Sequence, residues 1–310
     1  MTFTGIARKG ITHQFSSRLV AFEHTPKEIS ASSQNILIFI GGLFDGLHTV
    51  PYTSTIAEAL PPTWSIAQAI LSSSYTGWGI SSLQKDVQEL SECVAYFRTI
   101  KSGKVVLIGH STGCQDVMEY LTGAGHADRA PIDGGIIQGP VSDREAILMT
   151  LDPAVYKSAC ATAQLMVYIG DGAEILPSKE TNSFFSDCPV SASRWLSLAS
   201  PNHDGDDDYF SSDLTDEQLM KTFGSLPATS QLCILFSDAD EYMNKDIDKM
   251  GLTKRWIEIA KRGAGKVDEE NSVPLEGASH NLAGNSDEVV QGLVRRVLGF
   301  LSGLDTNSNL

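Results

Sequence analysis

Short runs of consecutive apolar residues alternate along the chain with segments in which apolar residues recur every three or four positions. The runs cover residues 19–22, 35–40, 65–71, 104–108, 134–141 and 232–236. Continuous runs rich in β-branched side chains and ended by glycines are typical of strands buried on both faces of a parallel sheet. The pattern therefore predicts a buried, mostly parallel sheet.

The helical spacing is clearest over residues 82–100, where one apolar stripe follows five turns. Further helices are predicted over residues 115–121, 253–262 and 286–301, and a short strand is expected near Val273. Strands that alternate with helices imply right-handed crossovers and a sheet covered on both sides. The predicted class is α/β, with a mostly parallel central sheet and helices on both faces.

Residues 142–230 interrupt this alternation. They are rich in Ser, Asp and Ala and show only short helical patterns. Because a plain loop of this length is uncommon inside a domain, we expect an inserted cap. The predicted organisation is a core of residues 1–141 and 231–310 with a cap of residues 142–230. The acidic run at residues 203–208 lacks the ligand spacing of a calcium loop and predicts an exposed turn.

Residues 109–113, Gly-His-Ser-Thr-Gly, match the G-x-S-x-G pattern of a nucleophile elbow. The match follows an apolar strand and precedes a helical pattern, which is the setting that this turn requires. Glycines on either side let the strand and the helix approach each other while the serine hydroxyl stays exposed. The helix N-terminus adds positive potential where an oxyanion would form. Ser111 is therefore the predicted nucleophile.

A serine nucleophile needs a general base, because its hydroxyl is not ionised at neutral pH. His280 is best placed, since it lies between the last predicted strand and the last helix. His110 neighbours the nucleophile but should point away from it. His13, His24 and His126 sit in polar stretches and are expected at the surface.

The base in turn needs an acid that fixes its tautomer. This acid should follow the penultimate strand, where Asp238 and Asp240 both occur. Asp240 is preferred, because two further residues carry it over the sheet edge towards the histidine, and Asp238 is the alternative. The chain order Ser, Asp, His is that of an α/β-hydrolase, which makes this the predicted fold.

An oxyanion hole needs two backbone N–H donors. One should come from Thr112, directly after the nucleophile, and the other from Leu43, in the loop that follows Gly41 and Gly42. His48 follows the same loop and is a candidate either for lining the site or for a structural role.

The 310 residues include 23 Lys plus Arg and 38 Asp plus Glu, which gives a formal net charge of −15. A nucleic-acid-binding protein needs a basic face to neutralise phosphates, and the sequence has no basic block, so nucleic acid is not an expected partner. No apolar run is long enough to cross a membrane. No apolar stretch follows Arg8 and Lys9, so no secretory signal is expected either.

Five scattered cysteines without CxxC spacing favour free thiols in a reduced, cytoplasmic protein. The sequence contains no HExxH, GxGxxG or GxxxxGK[ST] pattern. Neither a catalytic metal nor a nucleotide cofactor is therefore expected. The expected partner is a small-molecule substrate.

Four segments carry a family resemblance. They are IGGLFDGLHTVPY at residues 40–52, SSSYTGWGISSLQKDVQEL at 72–90, IGHSTGCQDVMEYL at 108–121 and DGGIIQGPVSDREA at 133–146. Together they resemble a fungal α/β-hydrolase family that includes siderophore esterases. The similarity extends from about residue 15 to residue 300, and the cap matches least.

The resemblance implies cleavage of the ester bonds of a fusarinine-type ferric siderophore inside the cell, with release of the iron. It also implies that Ser111, Asp240 and His280 form a catalytic triad. It makes Tyr75 and Trp78 candidates for lining the substrate site, or for packing a glycine-rich turn against the sheet.

Two other functions stay open at this point. One is a carboxylesterase that acts on another ester, and the other is a binding protein that keeps the hydrolase scaffold. Such binding proteins often lose the nucleophile or the base, whereas this sequence keeps a complete set, which favours an enzyme.

Overall fold

One sheet forms the centre of the protein. In the computed structural model, which describes residues 5–25 and 33–306 apart from the side chain of Asn182, eight strands form this sheet in the order β1-β2-β4-β3-β5-β6-β7-β8. The strands are β1 (Gly10–Gln14), β2 (Val20–His24), β3 (Asn35–Ile40), β4 (Trp64–Ile70), β5 (Val105–His110), β6 (Gly134–Gln138), β7 (Gln231–Leu235) and β8 (Lys266–Val267).

The six neighbouring strands β4, β3, β5, β6, β7 and β8 pair in parallel. Strands β1 and β2 form an antiparallel edge next to β4. The predicted mostly parallel sheet is thus confirmed. The apolar pattern does not predict β1, because Gly10–Gln14 is a largely exposed edge strand and has no apolar run.

Ten α-helices are present in the described part of the chain. They are α1 (Tyr52–Ala59), α2 (Leu83–Ile100), α3 (Gly113–Thr122), α4 (Asp143–Thr150), α5 (Pro153–Tyr168), α6 (Ser178–Phe185), α7 (Ala192–Ala199), α8 (Asp216–Lys221), α9 (Lys249–Arg262) and α10 (Asp287–Thr306). None of these helices combines the length and the apolar character that crossing a membrane requires.

The two faces of the sheet are covered by different helices. Ile36 and Ile38 of β3 belong to a buried cluster with side chains of α2, α3 and α9. Leu37 and Phe39 belong to a second cluster with side chains of α1 and α10. Successive side chains of a strand point to opposite faces, so a continuous apolar run is what a sheet with helices on both sides requires.

The last strand differs from the prediction. The expected strand near Val273 is absent from the described residues, and β8 pairs with β7 instead. Near Val273 the chain contributes only an isolated bridge between Leu275 and Ser237. Pro274 lacks a backbone N–H and so cannot extend a hydrogen-bonded ladder there.

The segment between β6 and β7 contains α4 to α8. Its apolar side chains, among them Phe185 and Trp195, form a third buried cluster that also includes Trp78. One of its helices, α5, has 16 residues and is longer than the short helices expected there. The segment therefore has a core of its own, and its role as a cap stays a prediction.

Residues 203–208 are only in part the exposed acidic turn that the sequence predicts, because two of the four acids are exposed and the other two lie against arginines. The Asp207 carboxylate is buried and accepts a hydrogen bond from Arg194 at 2.6 Å. The Asp208 carboxylate lies 3.6 Å from Arg144. Both arginines are buried, on α7 and α4, so these acids neutralise guanidinium groups from elsewhere in the segment.

The turn from β5 to α3 has no room for side chains at its glycines. A Cβ atom at Gly109 would overlap the backbone of Gly113. A Cβ atom at Gly113 would lie 2.5 Å from the carbonyl oxygen of Ile40. Because these neighbours are backbone atoms of a buried strand and helix, they cannot move aside at low cost.

Gly109→Ala should therefore lower the free energy of unfolding by about 3 kcal/mol, through overpacking of this turn. Gly303→Ala is the matched control, because no atom lies within 4 Å of a Cβ at this position in α10. Alanine should stabilise that helix by about 0.5–1 kcal/mol. Urea unfolding followed by circular dichroism measures both changes, and wild-type stability of Gly109→Ala would contradict the close packing.

Candidate active site

Ser111 lies at the turn between β5 and α3 in a strained backbone conformation. Its φ is 54°, in the left-handed region that residues other than glycine rarely adopt. The turn is held because the Ser111 N–H donates to the Gln138 carbonyl at 3.1 Å and the Ser111 carbonyl accepts from the Cys114 N–H at 2.8 Å. The side chain of Ser111 lines a cavity.

His280 and Asp240 form a buried pair. Nδ1 of His280 lies 2.8 Å from Oδ2 of Asp240, and both residues are more than nine-tenths buried. The other carboxylate oxygen of Asp240 accepts from the Tyr242 N–H at 3.0 Å, which fixes the orientation of the acid. A carboxylate at Nδ1 keeps a proton there and leaves Nε2 as a proton acceptor.

Asp238 has different surroundings. Its side chain is exposed, and its backbone carbonyl accepts from the Lys249 ammonium at 2.7 Å. The described hydrogen bonds join only Asp240, and not Asp238, to the imidazole of His280. The geometry therefore favours Asp240 as the partner of the base.

The backbone of His280 is held by side chains from two neighbouring parts of the sheet edge. Its N–H donates to the Glu241 carboxylate at 2.9 Å. Its carbonyl accepts from the Gln138 amide at 3.2 Å and from the Ser237 hydroxyl at 3.3 Å. These bonds fix the loop before α10, and with it the position of the imidazole.

Gln138 uses every hydrogen-bonding group of its side chain. Its carbonyl oxygen accepts from the Tyr52 hydroxyl and lies close to Nδ1 of His110, each at 2.7 Å. Its NH₂ donates to the Ser237 hydroxyl at 3.0 Å and to the His280 carbonyl. The predicted site residues do not include Gln138, although a polar amide at the end of an apolar strand is the signal that could reveal it.

The cavity shared by Ser111 and His280 has a volume of about 330 Å³. The rest of its wall consists of Leu43, Phe44, Asp45, His110, Val141, Asp143, Ala146, Thr150, Ser183, Phe184, Phe185, Glu241, Tyr242 and Asn281. Helices α4 and α6 supply part of this wall, so the segment between β6 and β7 borders the cavity. The volume and the mixture of aromatic and polar groups suit a small organic ligand.

The loop after β3 approaches the elbow closely. A Cβ atom at Gly42 would lie 2.5 Å from Cβ of Ser111. The N–H groups of Leu43, next to Gly42, and of Thr112, next to Ser111 in the chain, donate no hydrogen bond to another described residue. Two free backbone donors beside a serine are what a tetrahedral oxyanion requires.

Two carboxyl groups of the cavity wall bind protons more tightly than usual. Burial, assisted by the charge of Asp207, raises the pKa of Asp143 to about 7. Burial also raises the pKa of Asp45, although hydrogen bonds from Thr49 and Gly42 oppose this shift. In the described part of the chain, no three His, Cys, Asp or Glu side chains converge in a way that could hold a metal ion.

Two of the histidines expected at the surface, His24 and His13, lie deeper than predicted, and His110 lines the same cavity as Ser111. The His110 ring lies 4.8 Å from the His280 ring and lines the cavity, and burial lowers the pKa of His110 to about 3. His24 is buried against the Gln68 amide at 2.7 Å, and burial lowers its pKa to about 4. His13 is half-buried. Polar neighbours in sequence do not reveal these sheet-packed positions.

Neither His48 nor Tyr75 is among the described residues that line the cavity. Nδ1 of His48 lies 3.1 Å from the Gln68 amide nitrogen. The Tyr75 hydroxyl accepts from the Leu47 N–H at 3.1 Å. Both side chains support the loop that precedes α1, and a direct contact between them and a substrate stays a prediction.

Trp78 lies behind the cavity wall. It is 2% exposed and packs against Phe44 and Phe185, with ring centroids 5.2 and 4.7 Å away. Both phenylalanines line the cavity. Trp78 therefore shapes the wall from behind, and its contact with a substrate also stays a prediction.

The arrangement has the parts that acyl transfer needs. Ser111 supplies a hydroxyl, the His280–Asp240 pair can accept its proton, and Leu43 and Thr112 offer N–H donors. The Ser111 hydroxyl makes no hydrogen bond to a described residue. Catalytic hydrogen bonds often tighten only when substrate is bound, so the role of Ser111 does not require this contact.

Known proteins share this fold and length. The chain is 37% identical to fusarinine C esterase sidJ of Aspergillus fumigatus, over 95% of this chain and 96% of the relative. It is 36% identical to esterase AN6793 of Emericella nidulans, over 96% and 93% of the two chains. Its structure superimposes on that of the siderophore hydrolase EstB from Aspergillus fumigatus with a TM-score of 0.83 and 38% identity, covering 96% and 98%.

The fold and these relatives define the class of protein. The chain has the α/β-hydrolase fold, as predicted, and is a carboxylic ester hydrolase. More particularly, it belongs to the family described as "Protein of unknown function (DUF1749)", which it matches over residues 1–302. The resemblance to fungal esterases is therefore confirmed.

Replacing the two candidate acids separately distinguishes their roles. Asp240→Asn should lower kcat by about 10⁴-fold, because an amide at Nδ1 selects the wrong tautomer of the histidine. Asp238→Asn is the matched control and should change kcat less than about threefold, since its side chain is exposed. Steady-state hydrolysis of a short-chain nitrophenyl ester measures both, and the reverse ranking would assign the acid to Asp238.

The pH dependence of the reaction should contain an ionisation of Asp143. Above pH 7 this carboxyl becomes an anion near His280, where it stabilises an imidazolium, so kcat/KM should rise through this range. Asp143→Asn should make that rise smaller, whereas Asp128→Asn, at an exposed aspartate, should leave it unchanged. A rise of the same size near pH 7 in Asp143→Asn would show that another group titrates.

Proposed function

We propose that this chain is a serine esterase that cleaves the ester bonds of a fusarinine-type hydroxamate siderophore and so releases its iron. The contact between His280 Nδ1 and Asp240 Oδ2, at 2.8 Å beside a cavity lined by Ser111, is the observation that carries the chemistry. The similarity to fusarinine C esterase sidJ and to the siderophore hydrolase EstB supports the choice of substrate.

The reaction begins with the attack of Ser111 Oγ on the ester carbonyl carbon. His280 accepts the hydroxyl proton at Nε2, and the Asp240 carboxylate stabilises the imidazolium that forms. The N–H groups of Leu43 and Thr112 donate to the oxyanion of the tetrahedral intermediate. The intermediate collapses when His280 gives its proton to the leaving alkoxide, which leaves an acyl group on Ser111.

Water then completes the turnover. His280 removes a proton from a water molecule, which attacks the acyl-enzyme carbonyl and restores the Ser111 hydroxyl. Each ester cleaved in a cyclic siderophore frees the hydroxamates from the geometry that the ring imposes. Because preorganisation contributes to the affinity of a chelate, opening the ring weakens the binding of iron.

Charge favours cationic or neutral esters over anionic ones. The wall of the cavity contains Asp45, Asp143 and Glu241, and none of its described residues is Lys or Arg. The whole chain carries a formal net charge of −15. A siderophore with free amino groups would therefore be attracted to the site.

The inserted segment, residues 142–230, acts in this proposal as a cap over the substrate. Asp143, Thr150 and Phe184 of this segment line the cavity. The enzyme works inside the cell, which is supported by five buried cysteines that are all free thiols.

The decisive experiment is hydrolysis of a ferric fusarinine-type siderophore by the purified protein, followed by mass spectrometry. Stepwise addition of water to the ester bonds is expected, and Ser111→Ala should lower the rate by about 10⁴-fold or more. Ser183→Ala, which removes another serine hydroxyl from the same cavity wall, is the matched control and should stay active.

Two other outcomes would change the conclusion. Hydrolysis of a short-chain nitrophenyl ester without cleavage of the siderophore would keep the chemistry and assign another small ester as substrate. Failure with both esters, together with tight binding of the siderophore, would indicate a binding protein that keeps the hydrolase scaffold.

A further inference from the structure

A second, much smaller cavity lies behind the loop that carries the proposed oxyanion donor. Its volume is about 30 Å³. The loop at residues 41–43 and Thr112 border it on one side, and Trp78, Asp86 and Arg194 border it on others. Arg194 belongs to α7, so the inserted segment reaches under the proposed oxyanion hole as well as beside the substrate cavity.

Three side chains on this cavity have polar atoms without a partner among the described residues. They are Nε1 of Trp78, Oγ1 of Thr112 and Nε of Arg194. The three residues are only 2%, 7% and 3% exposed, respectively. An unsatisfied buried polar group costs about 1–3 kcal/mol, so three of them around one cavity indicate that something else hydrogen-bonds to them.

The size of the cavity limits what this can be. A buried water needs about 10–15 Å³ of such space and several polar partners, so about 30 Å³ accommodates one or two waters and nothing larger. Carboxyl groups of Asp86 and Asp116 also border the cavity, which disfavours an anion. Arg194 already pairs with Asp207 at 2.6 Å and is the only Lys or Arg among the described lining residues.

We propose that this cavity binds one or two ordered waters, and that through them Trp78 and Arg194 act as positioning residues for the loop at residues 41–43. Gly42 borders the cavity and also approaches Ser111 closely. Because glycine has no side chain, only its backbone lies between the two. The Gly42 N–H is held by the Asp45 carboxylate at 2.9 Å, whereas the Leu43 N–H has no described partner.

The waters connect Trp78 and Arg194 to the loop, because neither side chain makes a described hydrogen bond to it although all of them border the cavity. If they are lost, the loop can relax into the cavity and move the Leu43 N–H away from the oxyanion. An oxyanion donor acts only when it lies about 2.7–3.1 Å from the developing charge, so a small displacement lowers kcat. Substrate binding in the larger cavity is affected much less. This inference rests on the proposed serine esterase function.

Trp78→Phe tests the inference, because it removes the indole N–H and keeps an aromatic ring against Phe44 and Phe185. Trp256→Phe is the matched control: its Nε1 is also buried without a described partner, but Trp256 packs against Phe210 and Phe223, away from this cavity. On a nitrophenyl ester, Trp78→Phe should lower kcat about tenfold with KM changed less than twofold. Trp256→Phe should leave kcat unchanged.

Arg194→Lys provides a second test, since it keeps the charge but loses the planar guanidinium and its Nε. Arg144→Lys is its control, because Arg144 is a buried arginine of the same segment that pairs with Asp208 and does not line the cavity. Arg194→Lys should lower kcat at nearly constant KM, and Arg144→Lys should not. Active-site titration with a fluorophosphonate corrects each rate for the fraction of folded enzyme.

A high-resolution crystal structure of the wild-type protein tests directly whether the cavity contains ordered waters. Density for water within hydrogen-bond distance of Trp78 and Thr112 is the expected result. A dry cavity would overturn the inference, as would a rise in KM at constant kcat in Trp78→Phe, which would make Trp78 a substrate contact. If Ser111→Ala stayed active, the proposed function would fail, but the crystallographic result on the waters would still stand.

Discussion

The side-chain amide of Gln138 holds together the parts of the chain that make the site. It lies at the end of β6, and its four hydrogen bonds reach Tyr52 of α1, His110 of β5, Ser237 after β7 and the carbonyl of His280. The backbone carbonyl of the same residue accepts from the Ser111 N–H. One buried residue thus fixes both the serine turn and the histidine loop. A partly satisfied amide at this depth would destabilise the fold, so moving either loop away from Gln138 carries a cost.

Buried charge is the second constraint on the molecule. Arg194 is fully enclosed among Asp207, Asp86 and Asp143, and its charge is retained because these acids surround it. Burial raises the pKa of Asp86 to about 6 and that of Asp143 to about 7, so these acids bind protons in a range where free carboxyls are ionised. This network links the segment between β6 and β7 to α2 and to the wall of the cavity that Ser111 lines. An apolar contact of similar volume would stabilise the fold as well, but it would not orient polar groups near a reacting ester.

Much of this arrangement is predictable from the sequence, because the relevant signals are local. The apolar runs predict β3 and β5, the spacing predicts α2, and the glycines around Ser111 predict its turn. The features that the sequence does not reveal depend on contacts across the sheet. His24 and Gln138 are polar residues whose partners lie on other elements, and no local pattern identifies those partners, even where the end of an apolar run marks Gln138 as unusual. The pairing of Asp207 with Arg194 likewise becomes visible only when α7 is placed against the turn that follows it.

The most direct test of the proposed chemistry is the labelling of the protein by a fluorophosphonate, with the modified peptide identified by mass spectrometry. The phosphorus centre reacts as an ester carbonyl does but leaves a stable adduct, so the result does not depend on knowing the natural substrate. A serine activated by the His280–Asp240 pair should give one adduct, on Ser111, and His280→Ala should slow its formation by about 10³-fold or more. Modification of a different residue, or equally fast labelling of Ser111 without His280, would contradict the proposed mechanism.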